Sequence, residues 1–508
     1  MAMDPEADGA VVGVVGAGAM GRGIAQVAAT GGYRVLLTDS RPGAAAEARE
    51  FIAGMLKRAA EKGSMSAGDA DAAVQRIELV DAVAALKPCA LVIEAVVEDP
   101  AVKQALFAQL EVIVAEDCII ASNTSSLSVT ALASKLQRPG RLAGFHFFNP
   151  VPLMKLVEVI DGVRTEAWVA DTLAAVGKRM GREPVRVKDA PGFLVNQVGR
   201  GFTIEAAHLV GEGIASFVDV DRIMRDLAGF RMGPFELMEL TGLDVTHPAT
   251  ELIYEQFYHE PRYRPSTLMA SRVAAGILGR KTRHGFYEYK DGKPVVPPEP
   301  AAPAARPGSV WVSAAEPEGC AVLRPLLEKL GAKVESGDAP SADALCLVTP
   351  LGEDATTAAL SQGLDPRRTV AVDTLFPLDR RRVIMGTPIT EPAAREAAHG
   401  LLAADGVPVT VIRDSPGFVA QRIVAMIANI GASIAQNRTA APADIDKATK
   451  LGLNYPHGPL GFGDALGPRR ALKVLENMQR TYGDPRYRPN VWLARRARLG
   501  VSLLTPED

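Results

Sequence analysis

The sequence predicts an α/β plus all-α protein, in which a doubly wound parallel sheet and a helical domain are both repeated later in the chain. Two observations predict this class. Short apolar strands alternate with helices until about residue 186, after which helical periodicity continues alone. A proline-rich stretch then ends the first half, and motifs of the helical region recur beyond it.

Length and composition indicate a multidomain globular protein. The 508 residues are too many for one core, and at roughly 150 residues per domain they indicate three or four domains. Apolar residues make up 47% of the chain and the net charge is −3, so there is no global reason to expect a nucleic acid or a membrane as partner. Any anion site must therefore be local.

The cysteines and the N-terminal segment favour a cytoplasmic protein without a bound metal. The first residues are acidic where a secretory signal would be basic, and no apolar run reaches membrane-spanning length. The four cysteines are scattered and form no CxxC pair, so neither a zinc site nor a disulfide framework is expected. We interpret them as small buried apolar residues: Cys89, Cys118, Cys320 and Cys346.

The first βα unit contains a glycine-rich turn. A strand over residues 11–15 leads into Gly16, Gly18 and Gly21, with Met20 in the same turn, and a helix follows. Such glycines allow a tight turn, close approach of a pyrophosphate and close helix–strand packing, while the helix N-terminus faces the anion. This order of elements predicts a Rossmann-type dinucleotide-binding domain.

Asp39 indicates which dinucleotide is bound. It ends the second strand, 18 residues after Gly21, where an acidic side chain binds the ribose 2′-hydroxyl. Because its carboxylate would repel a 2′-phosphate, NAD is the predicted cofactor. Arg41 lies close enough to keep NADP as a minor alternative.

Two later segments supply candidate chemistry. The polar cluster at 122–126 follows a strand and is either a helix N-cap or a set of hydroxyl contacts to a ligand. His146 lies among bulky apolar residues, and Glu158 follows twelve positions later inside another strand. A carboxylate on one ring nitrogen fixes the tautomer of a histidine and stabilises the imidazolium. The pair is therefore either a general base with its partner or a satisfied core histidine.

The second half repeats the first after a proline-rich linker, which is predicted to be extended and semi-rigid. Pro191, in DAPGF, recurs as Pro416 in DSPGF, and Gly233 recurs as Gly458 at the same shift of 225 residues. The first half is predicted to consist of a Rossmann domain with the candidate base at 10–186 and a helical substrate or dimerisation domain at 187–290. After the linker at 291–308 come a degenerate Rossmann-like domain at 309–412 and a second helical domain at 413–508.

Several motifs, taken together, resemble those of a known family. The glycine turn with Asp39, SNTSS at 122–126, GFHFFNPVPLMKLVEVI at 144–160, KDAPGFLVN at 188–196 and GPFE at 233–236 are similar to those of the NAD-dependent L-3-hydroxyacyl-CoA dehydrogenases. The likeness covers about residues 10–290. Chains of this length, with a duplicated helical domain, are similar to the long bacterial members of phenylacetate catabolism, which act on 3-hydroxyadipyl-CoA.

The resemblance implies a role for each matching residue. His146 would be the base and Glu158 its orienting partner, while Ser125 and Asn196 would hydrogen-bond the substrate oxygen. Asn149 would share the substrate pocket, and Lys62 would contact coenzyme A. The implied cofactor-binding residues are Gly16, Gly18, Met20, Gly21, Asp39, Glu98, Lys103, Asn149 and Lys281.

The second half is predicted to be non-catalytic and to bind no NAD. Its first turn, at 313–319, lacks the glycines and contains carboxylates that oppose a pyrophosphate. Gln421 stands where Asn196 stood, and Met385-Gly386-Thr387-Pro388 stands where the His146 motif would fall. Because single-copy relatives pair through helical domains, the resemblance implies a pseudo-dimer within one chain, with a homo-oligomer left open.

The predicted function is interconversion of a (3S)-3-hydroxyacyl-CoA and the 3-oxoacyl-CoA with NAD, as in beta-oxidation. The candidate substrates are 3-hydroxyadipyl-CoA and 3-hydroxybutyryl-CoA, and Arg200, one helical turn past Asn196, is a candidate to meet a distal carboxylate. Two alternatives stay open: an NAD-dependent dehydrogenase of a free hydroxy acid, and a non-catalytic NAD-binding scaffold.

Overall fold

The computed structural model describes residues 3–507, and the described chain divides into two compact units. Met1 and Ala2, part of the acidic N-terminal segment, and Asp508, in the predicted second helical domain, lie outside the described residues. The first unit runs to Asn196 and includes Asn437–Leu453, and the second comprises Gln197–Gln436 and the residues from Asn454 onwards. Among the described residues, no helix combines the length and apolarity needed to cross a bilayer.

An eight-stranded sheet forms the centre of the first unit. Its strand order is 3-2-1-4-5-6-7-8, and it is parallel except between the sixth and seventh strands. Strands β4, β5 and β6 are buried along their whole length, as expected where helices cover both faces of a sheet. The elements are β1 (Val11–Val15), α1 (Ala19–Thr30), β2 (Arg34–Thr38), α2 (Ala44–Glu61), α3 (Ala67–Gln75), β3 (Ile77–Leu79), β4 (Leu91–Glu94), α4 (Pro100–Ile113), β5 (Ile119–Ser122), α5 (Val129–Ala133), β6 (Leu142–Phe147), β7 (Leu156–Asp161), α6 (Ala167–Arg179) and β8 (Glu183–Lys188).

The second unit combines helices with a smaller sheet, and the predicted fold class is confirmed. This sheet has five strands, which lie side by side in the order of the sequence and are parallel except between the third and the fourth. The remaining elements of the chain are α7 (Val195–Gly211), α8 (Phe217–Asp226), α9 (Pro234–Thr241), α10 (Leu243–Gln256), α11 (Thr267–Ala274), β9 (Tyr289–Lys290), β10 (Lys293–Pro294), β11 (Val310–Val312), α12 (Pro317–Lys329), β12 (Leu345–Val348), α13 (Ala355–Ser361), β13 (Thr369–Val372), β14 (Arg382–Gly386), α14 (Pro392–Leu402), β15 (Val409–Ile412), α15 (Val419–Gln436), α16 (Pro442–Leu453), α17 (Pro459–Leu466), α18 (Pro468–Tyr482) and α19 (Val491–Leu499).

One segment of the second half belongs to the first unit. Helix α16 packs on β7 and β8, and the N–H of Lys188 donates to the carbonyl of Thr439 at 2.8 Å. A Cβ at Gly452 would lie 2.9 Å from Leu156 Cδ2, so the helix sits close to the strand that contains Glu158. The sequence repeat did not predict this placement.

The small sheet is a reduced copy of the large one. Asp189 accepts the N–H groups of Val129 and Thr130 at the start of α5, and Asp414 accepts those of Ala355 and Thr356 at the start of α13. These matched contacts make β12, β13, β14 and β15 the counterparts of β5, β6, β7 and β8.

This correspondence corrects the predicted position of the missing histidine. The N–H of Asp373 donates to the carbonyl oxygen of Val383, across the pair β13 and β14. In the large sheet the same position is occupied by His146, which lies opposite Glu158 across the pair β6 and β7. Met385 lies in β14, the counterpart of the Glu158 strand, so the prediction for residues 385–388 was wrong. The antiparallel strand pairing, which no sequence motif marks, decides the register.

Two further predictions need correction. The segment 291–308 is not extended throughout, because Asp291 and Gly292 form the turn of an antiparallel hairpin between β9 and β10. Cys320 is half-buried, whereas Cys89, Cys118 and Cys346 are buried. Cys320 lies one residue off the apolar stripe of α12, which runs through positions 319, 323 and 327.

The two helical copies pack against each other through reciprocal contacts. Arg264 of the first copy pairs with Asp484 of the second. At the matching positions, Arg488 of the second copy pairs with Glu260 of the first at 3.4 Å. At the centre, a Cβ on Gly201 would lie 3.1 Å from Ile427 Cα, so α7 and α15 approach closely. Such reciprocity is the signature of a two-fold interface, here formed within one chain.

Candidate active site

The glycine turn after β1 is shaped for a phosphate group. Gly16 has φ +104°, and a Cβ there would lie 2.5 Å from the carbonyl oxygen of Ala95. A Cβ on Gly21 would lie 1.7 Å from the carbonyl oxygen of Gly16. Gly18 has open space where its Cβ would point. The first and third glycines therefore allow close packing, and the middle one leaves the N-terminal end of α1 accessible to an anion.

Asp39 is held at the same turn. Its carboxylate accepts the backbone N–H of Ala17 at 2.6 Å and that of Arg41 at 2.8 Å. The guanidinium of Arg41 is engaged by Glu47 at 2.7 Å, which disfavours its use for a 2′-phosphate. A cleft of about 640 Å³ is lined in part by Gly16, Gly18 and Asp39. These residues fit NAD.

Glu98 organises the polar cluster that follows β5. Its Oε1 accepts the hydroxyl of Thr124 at 2.6 Å and the N–H groups of Ser125 and Ser126 at 2.8 and 3.2 Å. Burial acts to raise the pKa of Glu98, but Lys103, together with these donors, holds that pKa below its usual range. A fixed carboxylate thus sets the conformation of the loop that contains Ser125.

Lys103 is buried beneath this loop. Only 1% of its side chain is exposed, and Nζ lies 2.6 Å from Glu94 and 3.2 Å from Glu98. The geometry favours a positioning role through Glu98 over direct contact with the cofactor. Sequence reasoning missed Glu94, which also accepts the hydroxyl of Ser122 at 2.7 Å. Its signal was an acidic residue at the end of an otherwise apolar strand.

His146 and Glu158 are brought together by the antiparallel pair β6 and β7, in which they are direct neighbours. Nδ1 of His146 donates to Glu158 Oε2 at 2.7 Å, because a carboxylate can only accept. Glu158 Oε1 accepts the N–H groups of Leu194 and Val195 at 3.2 and 2.9 Å. Both residues of the pair are buried. The hydrogen bond to Glu158 occupies Nδ1 of His146.

Asn196 lies at the start of α7, directly after the N–H groups that Glu158 holds. Its Nδ2 donates to the backbone carbonyl of Ser125 at 3.1 Å. The rings of Phe148 and Phe193 flank the imidazole of His146, with centroids 4.5 and 5.9 Å away. The structure therefore gathers the four predicted catalytic residues in the first unit.

The remaining predicted site residues are Met20, Asn149, Lys62 and Lys281. Met20 packs against the core of the first unit, and Asn149 is exposed beside Pro150. Lys62 is exposed at the end of α2. Lys281 belongs to the second unit, where it pairs with Asp244. Their contacts with ligands stay predictions.

A Rossmann sheet with an NAD-type turn and a carboxylate-oriented histidine defines an NAD-dependent dehydrogenase. The NAD-binding domain of 3-hydroxyacyl-CoA dehydrogenase matches residues 11–190, and the C-terminal domain of the same enzymes matches 192–289 and again 417–502. The chain belongs to the 3-hydroxyacyl-CoA dehydrogenase family. It is accordingly an oxidoreductase that uses NAD.

Individual relatives agree with this assignment. The chain is 37% identical to the 3-hydroxyadipyl-CoA dehydrogenase of Escherichia coli, over 96% of this chain and 97% of the relative. It is 42% identical to the mitochondrial hydroxyacyl-coenzyme A dehydrogenase of Sus scrofa, over 54% of this chain and 90% of the relative. The crystal structure of a 3-hydroxybutyryl-CoA dehydrogenase from Escherichia coli superposes with a TM-score of 0.85 and 36% identity, covering 97% and 99% of the two chains.

Proposed function

We propose that this enzyme oxidises a (3S)-3-hydroxyacyl-CoA whose acyl chain ends in a carboxylate, as in 3-hydroxyadipyl-CoA, with His146 as general base. The observation that supports the base is the contact of 2.7 Å between His146 and Glu158. The substrate is supported by the name of the relative that matches almost the whole chain. The name of the superposing structure makes 3-hydroxybutyryl-CoA the second candidate.

The proposed chemistry starts from the tautomer that Glu158 fixes. With the proton on Nδ1, the lone pair of His146 Nε2 takes the hydroxyl proton of the substrate, and the Glu158 carboxylate stabilises the resulting imidazolium. Ser125 and Asn196 hydrogen-bond the C3 oxygen as it becomes a carbonyl. The glycine turn and Asp39 would hold NAD, which would supply the acceptor for the hydride of C3. In the reverse direction His146 returns the proton.

The proposed binding roles follow from the same site. The open backbone at Gly18 would face the pyrophosphate of NAD and Asp39 would bind its ribose, while Lys62 would meet a phosphate of coenzyme A. The proposed physiological step is a beta-oxidation reaction of phenylacetate catabolism, in the cytoplasm.

The direct test is NADH oxidation by the purified chain with acetoacetyl-CoA, 3-oxoadipyl-CoA and free 3-oxoadipate. We expect turnover of both thioesters, a higher kcat/KM for 3-oxoadipyl-CoA and none with the free acid. A preference for the free acid would replace the proposal with a free hydroxy acid dehydrogenase. Protein that binds NADH but turns over none of the three would be a scaffold.

A further inference from the structure

Glu94 is a buried carboxylate at the end of β4, and its contacts reach three elements of the first unit. Its Oε1 accepts the backbone N–H of Val96 at 2.7 Å and lies 2.6 Å from Nζ of Lys103 on α4. Its Oε2 accepts the hydroxyl of Ser122, at the end of β5, at 2.7 Å. One side chain thus connects the loop after β4, helix α4 and the strand that leads into the Ser125 loop.

Lys103 extends these contacts to the candidate site. Its Nζ also lies 3.2 Å from Glu98, which accepts the N–H of Ser125 at 2.8 Å. If Glu94 were neutral, the buried ammonium would keep a single counter-charge, the 36% exposed side chain of Glu98. A buried charge needs its partner close, so Glu98 would be drawn towards Lys103 and away from the loop.

The Val96 contact connects Glu94 to the cofactor cleft. Val96 and its two neighbours in the chain line the same cleft as Gly16 and Asp39. Glu94 therefore fixes a wall of this cleft with one oxygen and the end of β5 with the other.

The small sheet contains a counterpart of this βα unit, which allows a comparison within one chain. Strand β11 pairs with β12 as β4 pairs with β5, and β12 is the counterpart of β5. Ser313, which directly follows β11, stands in place of Glu94. Its hydroxyl accepts the N–H of Ala315 at 3.1 Å, as Glu94 accepts that of Val96.

The counterpart of Lys103 is also uncharged. Lys103 is the fourth residue of α4, and Cys320 is the fourth residue of α12. The unit therefore forms with serine and cysteine at the positions of this buried ion pair, in the copy that lacks His146. Because the desolvation of a buried pair offsets much of its attraction, the pair adds little to stability. Its presence beside the candidate base points to a role in the site.

We propose that Glu94 is a positioning residue for the reaction. Its charge holds Lys103, which supports Glu98, and Glu98 in turn sets the loop that contains Ser125. Glu94 is 0% exposed and acts through these residues. The inference rests on the proposed function, in which Ser125 hydrogen-bonds the C3 oxygen.

The first test is Glu94→Gln, which removes the charge and keeps the shape. The amide oxygen can still accept from Val96, and the amide N–H can donate to the hydroxyl of Ser122. We expect kcat with acetoacetyl-CoA and NADH to fall about 10- to 100-fold, since a misplacement of roughly 1 Å can cost about 10²-fold. The Kd of NADH, followed by fluorescence, should change by less than about 3-fold, because the glycine turn and Asp39 hold the dinucleotide.

A double variant separates positioning from stability. Glu94→Gln/Lys103→Met removes the buried charge together with its partner, so the Tm should return towards that of the wild type. The kcat should stay low, because Glu98 still lacks its cation. Recovery of kcat together with the Tm would make Glu94 structural and overturn the proposal.

Glu111 provides the matched control at the opposite end of α4. Its carboxylate accepts the N–H groups of Gln137 and Arg138, both at 2.8 Å, and its side chain is 11% exposed. Glu111→Gln makes the same charge change beside another loop. Its kcat should stay within about 2-fold of the wild type, because that loop does not hold a reacting group.

The outcomes separate this inference from the proposed function. A wild type that does not turn over acetoacetyl-CoA would overturn the proposed function, and a normal kcat in Ser125→Ala would overturn the role of Ser125. If Ser125→Ala is impaired, a normal kcat in Glu94→Gln would overturn the role of Glu94 alone. If Glu94→Gln does not fold, the double variant decides: a low kcat at a normal Tm supports the proposal, and a normal kcat overturns it.

Discussion

Glu158 divides its carboxylate between the imidazole of His146 and the first backbone N–H groups of α7. One oxygen lies 2.7 Å from His146 Nδ1, and the other accepts from Leu194 and Val195. A single side chain thus orients the base and fixes the start of the helix that contains Asn196. Removing it should affect both.

His146→Gln should lower kcat by roughly 10²- to 10⁴-fold, the usual cost of losing a general base. The affinity for NAD should stay unchanged, because the glycine turn and Asp39 are not involved. Stopped-flow or steady-state kinetics, with NADH binding followed by fluorescence, measures both quantities. A near-normal kcat would show that another group takes the proton. Glu158→Ala should lower kcat and also the Tm, since it removes both the partner of His146 and the oxygen that accepts the N–H groups of Leu194 and Val195.

Glu205→Gln should destabilise the second unit by roughly 3–5 kcal/mol, the usual cost of breaking a buried ion pair. Glu205 is buried and accepts hydrogen bonds from Arg422, Arg486 and Tyr487, at 2.9, 2.8 and 2.9 Å. Urea unfolding of the variant and the wild type at neutral pH measures the difference. As a control, Glu260→Gln should cost under about 1 kcal/mol, because its pair is partly exposed.

The same contacts make this stabilisation depend on pH. Burial acts to raise the pKa of Glu205, but Arg486 and Arg422 hold it at about 2, below the ordinary value of 4.5. Because the folded-state pKa is depressed, the stabilisation is present above about pH 4.5 and is lost as the pH falls towards 2. The difference in unfolding free energy between wild type and Glu205→Gln should therefore shrink across this range. A constant difference would contradict the assignment.

Asp373→Asn should stabilise the small sheet at neutral pH. Burial raises the pKa of Asp373 to about 6, and its Oδ2 has no hydrogen-bond partner, while Oδ1 accepts from Gln421 at 2.9 Å. The folded state therefore favours the neutral acid, and stability falls as the pH rises from about 4 to about 6. The variant should melt above the wild type at pH 8 and lose this advantage at pH 4. Asp343→Asn, at an exposed site, should change neither Tm.

Gly452→Leu should reduce both stability and turnover, although the residue lies in the second half of the sequence. A side chain there would collide with Leu156 and Val195, next to the strand and helix that hold Glu158. Gly54→Leu, in α2 with open space around it, is the matched control. Thermal unfolding and kcat with acetoacetyl-CoA measure the two effects. Equal behaviour of the variants would show that α16 does not support the active site.

The local signals in the sequence were sufficient for the NAD turn and the candidate base. Gly16, Gly18 and Asp39 lie within one βα unit and the following strand, so their spacing alone indicates their geometry. His146 and Glu158 belong to consecutive strands, and one antiparallel pairing brings them together. Such short-range relations follow from strand periodicity, which is legible in the order of residues.

Long-range relations were decided by the tertiary structure. Lys103 reads as an ordinary helix cation, and only packing shows that it is buried against Glu94 and Glu98. The place of Asp373 depends on which strands pair, because a sheet register is set by neighbours that are distant in sequence. The motifs of the sequence were sufficient to predict the family, the cofactor and the reaction class. Packing alone shows that α16 joins the first unit and that Arg422 is neutralised by Glu205, because burial and charge compensation depend on residues hundreds of positions apart.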